Sequence, residues 1–331
     1  MSTVQITYIV FGIVILVALA LDLGILSKKH KKVSIKAAMY QTFFWVGLSL
    51  AFFAFLWWEE SSAAAVKYIT AYLMEWSLSI DNIFVFILIF SFFKVKEDDA
   101  GRALLIGILL AIVFRILFIA LGIELINRFH WLLYVFGAFL LYTGFKLFFQ
   151  NEDDEYDPGH SKVYIWATKV LRISHVEPKG RYVIRENNKI VFTQLALVVF
   201  MLAATDIVFA LDSIPTVVSL VRDDPNIPFS SSDILVIYSS NIFAVLGLRS
   251  LFFLLKGAVS KFDFLQQGIA IVLIFIGVKM LIEYFGIHIP IYISLGVIVL
   301  CLGGSILYSI NHNRKGLTKK VEAENSPEPF T

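Results

Sequence analysis

The chain has 331 residues, of which 58% are hydrophobic and 15% aromatic, and its mean hydropathy is +0.79. That exceeds the apolar share of soluble domains and excludes them, so the sequence is that of an integral membrane protein. The formal net charge of +2 says little as a total, because orientation in a bilayer depends on which loops hold Lys and Arg.

A spanning helix needs roughly 20 mostly apolar residues. Nine segments qualify, at about 4–26, 37–58, 68–93, 103–125, 131–149, 194–220, 233–255, 265–285 and 290–311. The first ends at Asp22 and a Lys cluster instead of a small-residue cleavage site, so it reads as a retained helix and not a signal peptide. Residues 27–36, SKKHKKVSIK, hold five Lys. Basic short loops stay in the cytoplasm, which places the N-terminus outside and the C-terminus inside a bacterial inner membrane. Later loops agree: Lys94, Lys96, Arg102, Lys256 and Lys261 fall inside, whereas the outer loops hold only Arg128 and Arg222.

The connection 150–193 is predicted to be cytoplasmic. It opens on the acidic run NEDDEYDP, passes a mildly amphipathic piece near 161–173 and closes on RYVIRENNKIVF, two β-prone runs around a polar turn that read as a hairpin. The acidic run is read as a solvated loop, and the linker as a surface on which membrane-protein partners could dock. The organisation expected is two N-terminal helices (1–66), a three-helix unit (67–149), the linker (150–193), a second three-helix unit (194–285), a last span (286–311) and a disordered, charged tail (312–331). The single Cys301 excludes an intramolecular disulfide.

The two three-helix units echo one another. Glu75 and Asp81 are six apart, as are Asp206 and Asp212; Arg115 follows Asp81 by 34 residues and Arg249 follows Asp212 by 37. Lys146, in GFK, lies 31 beyond Arg115, and Lys279, in GVK, lies 30 beyond Arg249. An odd number of helices per unit turns the second copy upside down, which predicts the inverted three-plus-three repeat common in secondary transporters.

Four carboxylates inside the bilayer are costly and mark a functional site. Arg115 and Arg249 compensate two of the charges, leaving an excess near minus two that one divalent cation, or protons, would neutralise. Glu75, Ser79 and Asn82 share one helix face, and Asp81 points about 120° away. Asp206 with Ser213, and Thr205 with Asp212, repeat the two stripes. Pro215 makes a break in the sixth apolar helix plausible. The alternative is that all four acids are structural, paired with the arginines and one another.

All six His lie in loops or at helix ends, so the oxygen donors, with Asn82 and Asn241 as neutral ligands, suit Mg, Ca or Mn as the transported ion rather than Zn or Cu. Met74 and Met201 read as packing or lipid-facing residues in preference to thioether ligands. Asp22 is a further candidate at the inner end of the first helix, with an interfacial role as the alternative. Lys146 and Lys279 read as snorkelling to the interface, with gating as the alternative. No GxxxxGK[ST] loop, nucleophile elbow or HExxH occurs, so no enzyme activity, permanent cofactor or nucleic-acid partner is expected, and an ion gradient would have to drive transport.

At EWSLSIDNIFVF, ATDIVFALDSIP and SSNIFAVLGLRSLFFLL, and in LDLGILSKK, RYVIRENNKIVFT and GVKMLIE, the sequence resembles the TerC family of bacterial integral membrane proteins from about residue 20 to 285. The resemblance implies divalent-metal transport, chiefly manganese efflux, with an older association with tellurite resistance. It implies that Glu75, Asp81, Asp206 and Asp212 are the acids on which transport depends, with Asn82 and Asn241 beside them. Some members are linked instead to membrane-protein assembly or to metal loading of secreted enzymes, a second class in which the chain itself transports nothing.

Overall fold

A computed structural model describes residues 3–26, 34–129, 131–149, 158–174, 180–186, 189–222, 227–256, 264–287 and 289–324. Its helices in chain order are α1 (Thr3–Leu26), α2 (Ile35–Glu59), α3 (Ser62–Phe92), α4 (Glu97–Arg128), α5 (Leu132–Phe148), α6 (Lys162–Val170), α7 (Gln194–Val221), α8 (Ser231–Leu255), α9 (Leu265–Ile282) and α10 (Ile291–Glu324). Each of the nine apolar segments coincides with one of them, and α6 is the amphipathic piece of the linker. Among the described residues six stretches are long and apolar enough to cross a membrane: Ile35–Glu59, Asp99–Arg128, Gln194–Leu211, Ser231–Leu255, Gln266–Phe285 and Ile291–Ser309. Gln5–Ala18 and Leu132–Phe148 are shorter apolar helices. The architecture is all-α and membrane-embedded.

Two elements depart from the sequence reading. Helix α7 runs unbroken through Pro215. Proline removes one backbone hydrogen bond, to the Leu211 carbonyl, and a helix held by packed neighbours on both sides of that turn, here through buried Ile214, Val217 and Val218, survives the loss. Helix α10 continues to Glu324, into the tail expected to be disordered from 312. Lys, Glu and Ala in that stretch are strong helix formers, and the first proline after it is Pro327.

Helix α8 is the centre. It is buried from Leu235 to Leu255 with few interruptions, as an apolar helix packed on all sides must be, and it is covered by α2, α3 and α4. The other principal contacts pair α4 with α7, α3 with α7, and α5 with α9. Exchanging the triplets α3–α4–α5 and α7–α8–α9 maps these contacts onto themselves: α3 on α8 becomes α7 on α4, and the remaining pairs are self-complementary. Large apolar side chains such as Leu16, Phe43, Leu117, Leu300 and Leu307 are exposed on α1, α2, α4 and α10, where lipid would cover them.

The contact of α5 with α9 explains the glycine of each Gly-x-Lys marker. A Cβ on Gly277 would fall 2.8 Å from the Gly137 carbonyl oxygen, and one on Gly144 would fall 3.0 Å from the Ala270 carbonyl oxygen. Gly144 and Gly277 thus play the same part on opposite helices, letting the backbones close in the manner of small residues at membrane-helix interfaces.

The linker carries the expected hairpin. Strands β1 (Val183–Glu186) and β2 (Lys189–Phe192) pair antiparallel, with Val183 opposite Phe192 and Glu186 opposite Lys189. The linker is tied to the helical body by Tyr164, whose ring centroid lies 5.9 Å from those of both Phe92 and Phe93, and by Trp166 stacked on Phe200. Thr193 caps α7 at the Ala196 amide and donates to the Arg181 carbonyl, fixing the hairpin to the start of that helix. The acidic run 151–157 lies outside the described residues.

Gly277→Ala is expected to lower stability by about 1–3 kcal/mol, the usual cost of overpacking. Gly303→Ala, with nothing within 4 Å of its added Cβ, should leave stability unchanged or raise it. Thermal unfolding of the two purified variants in detergent checks the contrast.

Candidate functional site

Helices α3, α4, α7 and α8 each send one polar side chain to a common point in the interior. From α3, Glu75 is followed on the same face by Ser79 and Asn82, and all three are buried, as their i, i+4, i+7 spacing requires. From α7 comes Asp206, from α4 Arg115 and from α8 Asn241, each at most 1% exposed.

Arg115 is the hub. Its Nε donates to Asp206 Oδ2 at 2.9 Å and its Nη2 to Asp206 Oδ1 at 3.0 Å, a bidentate fork that takes both carboxylate oxygens. Its Nη1 donates to Asn241 Oδ1 at 3.2 Å and also forms an ion pair with Glu75 Oε1. The Asn241 amide is fixed from its other end, where Nδ2 donates to the Ile237 carbonyl at 3.0 Å.

Among the described side chains, two carboxylates face one guanidinium at this buried point. Burial on that scale costs several kcal/mol per ion and is tolerated only with close pairing. The compensation is unequal. Asp206 has a donor on each oxygen, whereas among the described residues Glu75 Oε2 is buried with no hydrogen-bond partner, as are the hydroxyls of Ser79 and Ser213. Ser77 and Thr205 instead bond back to the carbonyls of Leu73 and Met201 on their own helices, the usual way for a helical hydroxyl to satisfy itself.

The remaining expected residues divide. Asp81 and Asp212 stand on α3 and α7, six residues beyond Glu75 and Asp206, and Asp22 stands on α1; the side chains of all three lie outside the described residues. Arg249 is buried on α8. Met74 and Met201 are fully buried packing residues. The two lysines are not alike. Lys146 is exposed, but Lys279, expected to snorkel, is buried and donates to the Ser219 carbonyl at 3.2 Å. Lys279 borders a cavity of about 200 Å³ lined also by Leu220, Arg222, Glu283 and Pro290. Among the described residues no three His, Cys, Asp or Glu side chains come together as a metal site.

The ion pair that links α3 to α8 escaped the sequence reading. Lys67 Nζ meets Asp233 Oδ1 at 2.9 Å, joining the starts of α3 and α8. The available signal was the capping box of Ser230 and Asp233, which gives the helix start but not the lysine that faces it.

Residues 60–316 match the integral membrane protein TerC family. The chain is 39% identical over 309 residues to an uncharacterized membrane protein of Myxococcus xanthus, an alignment spanning 93% of each chain. It is 39% identical over 297 residues to the Alx protein of Escherichia coli K12, covering 87% of this chain and 89% of that one. That relative's name describes it, provisionally, as a membrane-bound redox modulator. A membrane protein of Rickettsia felis is 38% identical over 304 residues, or 92% of this chain and 97% of its own. No solved structure matches. With the family's pattern covering residues 60–316 and relatives 38–39% identical over most of its length, the chain belongs to the TerC family of integral membrane proteins.

Proposed function

We propose that this protein exports a divalent metal cation, Mn²⁺ foremost, across the bacterial inner membrane, with protons moving the other way. The observation that carries the reading is the buried Glu75–Arg115–Asp206 cluster, in which two acids share one cation and Glu75 Oε2 has no hydrogen-bond partner among the described residues. An intramembrane carboxylate left with open coordination is the chemistry a permeating hard cation needs. Oxygen donors from Glu75, Asn82, Asp206 and Asn241, joined by Asp81 and Asp212, form the proposed ligand set.

The fold is read as nine spans with the N-terminus outside, the triplets α3–α4–α5 and α7–α8–α9 forming an inverted repeat. Support comes from the self-mapping contacts of the two triplets and from the reciprocal glycines Gly144 and Gly277. In this cycle the ion enters from the cytoplasm onto ionised acids and leaves outside as protons neutralise them. The name of the Alx relatives suggests a redox role. With Cys301 as the only cysteine, no dithiol couple exists within one chain, so such a role would run through the metal ion handled.

Two outcomes are expected. In proteoliposomes with a set pH gradient, Glu75→Gln, Asp81→Asn and Asp212→Asn should each slow initial Mn²⁺ flux about tenfold or more, since even groups supporting a metal ligand contribute 10–100-fold to affinity. Flux at the parent rate in these variants would sink the proposal. Asp206→Asn removes the carboxylate that takes both prongs of the Arg115 fork and leaves Glu75 as the guanidinium's anion, so it should cost about 1.5–3 kcal/mol of stability, the usual worth of hydrogen bonds to a charged group. Combined with Arg115→Gln it should cost less than the sum of the two single losses, as read in a double-mutant cycle of unfolding measurements.

A further inference from the structure

Resting on that transport reading, we propose that Arg115 is a tethered counter-cation that occupies the ion's place and sets the valence the site accepts. The guanidinium lies where oxygen groups from three helices converge: Glu75 of α3, Asp206 of α7 and Asn241 of α8. All three are oxygen donors suited to a hard cation, and a positive charge already sits among them.

The contacts fix what an arriving ion can reach. Both Asp206 oxygens are taken by the fork, and Asn241 Oδ1 is held by Nη1 while its Nδ2 is held by the Ile237 carbonyl. Of these three groups, Glu75 alone keeps an oxygen, Oε2, with neither a hydrogen bond nor an ion pair among the described residues. An ion therefore docks first on Glu75 and gains Asp206 only when the guanidinium withdraws on its flexible stem. The exchange is reciprocal, so whatever the ion loses in displacing Arg115, the returning guanidinium regains in expelling it.

Valence follows from the charges. With Arg115 withdrawn, Glu75 and Asp206 present two negative charges, which a divalent ion neutralises completely. A monovalent ion would replace one positive charge with another, and it would lose to a guanidinium that is already in place and bidentate. Arg115 thereby excludes Na⁺ and K⁺ from a site whose oxygen donors alone would not reject them.

The test measures Mn²⁺ binding to the purified full-length chain by calorimetry, for the parent, Arg115→Gln and Arg115→Lys, in choline chloride and in NaCl of equal ionic strength. Arg115→Gln should bind Mn²⁺ about tenfold tighter than the parent, within the usual range of coupling between competing ligands, and should lose that gain in NaCl. The parent should be indifferent to which salt is present. Arg115→Lys keeps the charge but not the fork, so it should bind with intermediate affinity, and it answers the question if the Gln variant does not fold. Mn²⁺ binding by the parent with no gain in either variant overturns the counter-cation while leaving transport standing. Absence of Mn²⁺ binding in all three proteins overturns both.

Discussion

A guanidinium buried among carboxylates from two different helices is the constraint on which the rest of the molecule turns. In a medium that cannot solvate them, Glu75 and Asp206 are tolerable only because Arg115 reaches both. That requirement dictates that α3, α4 and α7 meet at one level, and Asn241 brings α8 to the same point. Packing alone would accept several registers of four apolar helices. Pairing charges accepts one, because sliding any helix by a turn would strand an ion in hydrocarbon.

Around this hub the helices close by two means suited to a membrane. Where α5 meets α9 there is no charge to hold them, and approach depends on Gly137, Gly144 and Gly277 letting backbone touch backbone. Where α1, α2, α3 and α8 meet, Phe11, Phe52, Tyr68 and Phe243 form a cluster of rings with centroids 5.2–6.3 Å apart, and the Tyr68 hydroxyl bonds Ser49 at 2.8 Å. The first contact is thin and the second is bulky.

The linker belongs to this body more than its composition suggests. Its helix and hairpin are anchored by ring contacts on α3 and α7 and by the Thr193 cap, so its position is coupled to the two helices that carry the acids.

Much of this was legible from residue order. Hydropathy placed nine of the helices, since each needs a continuous apolar run. Periodicity also put Glu75, Ser79 and Asn82 on one face, and that face is buried. What the order of residues could not assign is partnership. Six positions separate Glu75 from Asp81 and Asp206 from Asp212, yet nothing in that spacing says that Arg115 of α4 would fork onto Asp206 of α7 and touch Glu75 of α3. It does not tell exposed Lys146 from buried Lys279, nor reveal Lys67 facing Asp233. Local sequence determines which residues are costly to bury and which face of a helix they share. Only the tertiary structure decides which opposite charge answers each of them, because ion pairs form across helices whose relative register no single helix encodes.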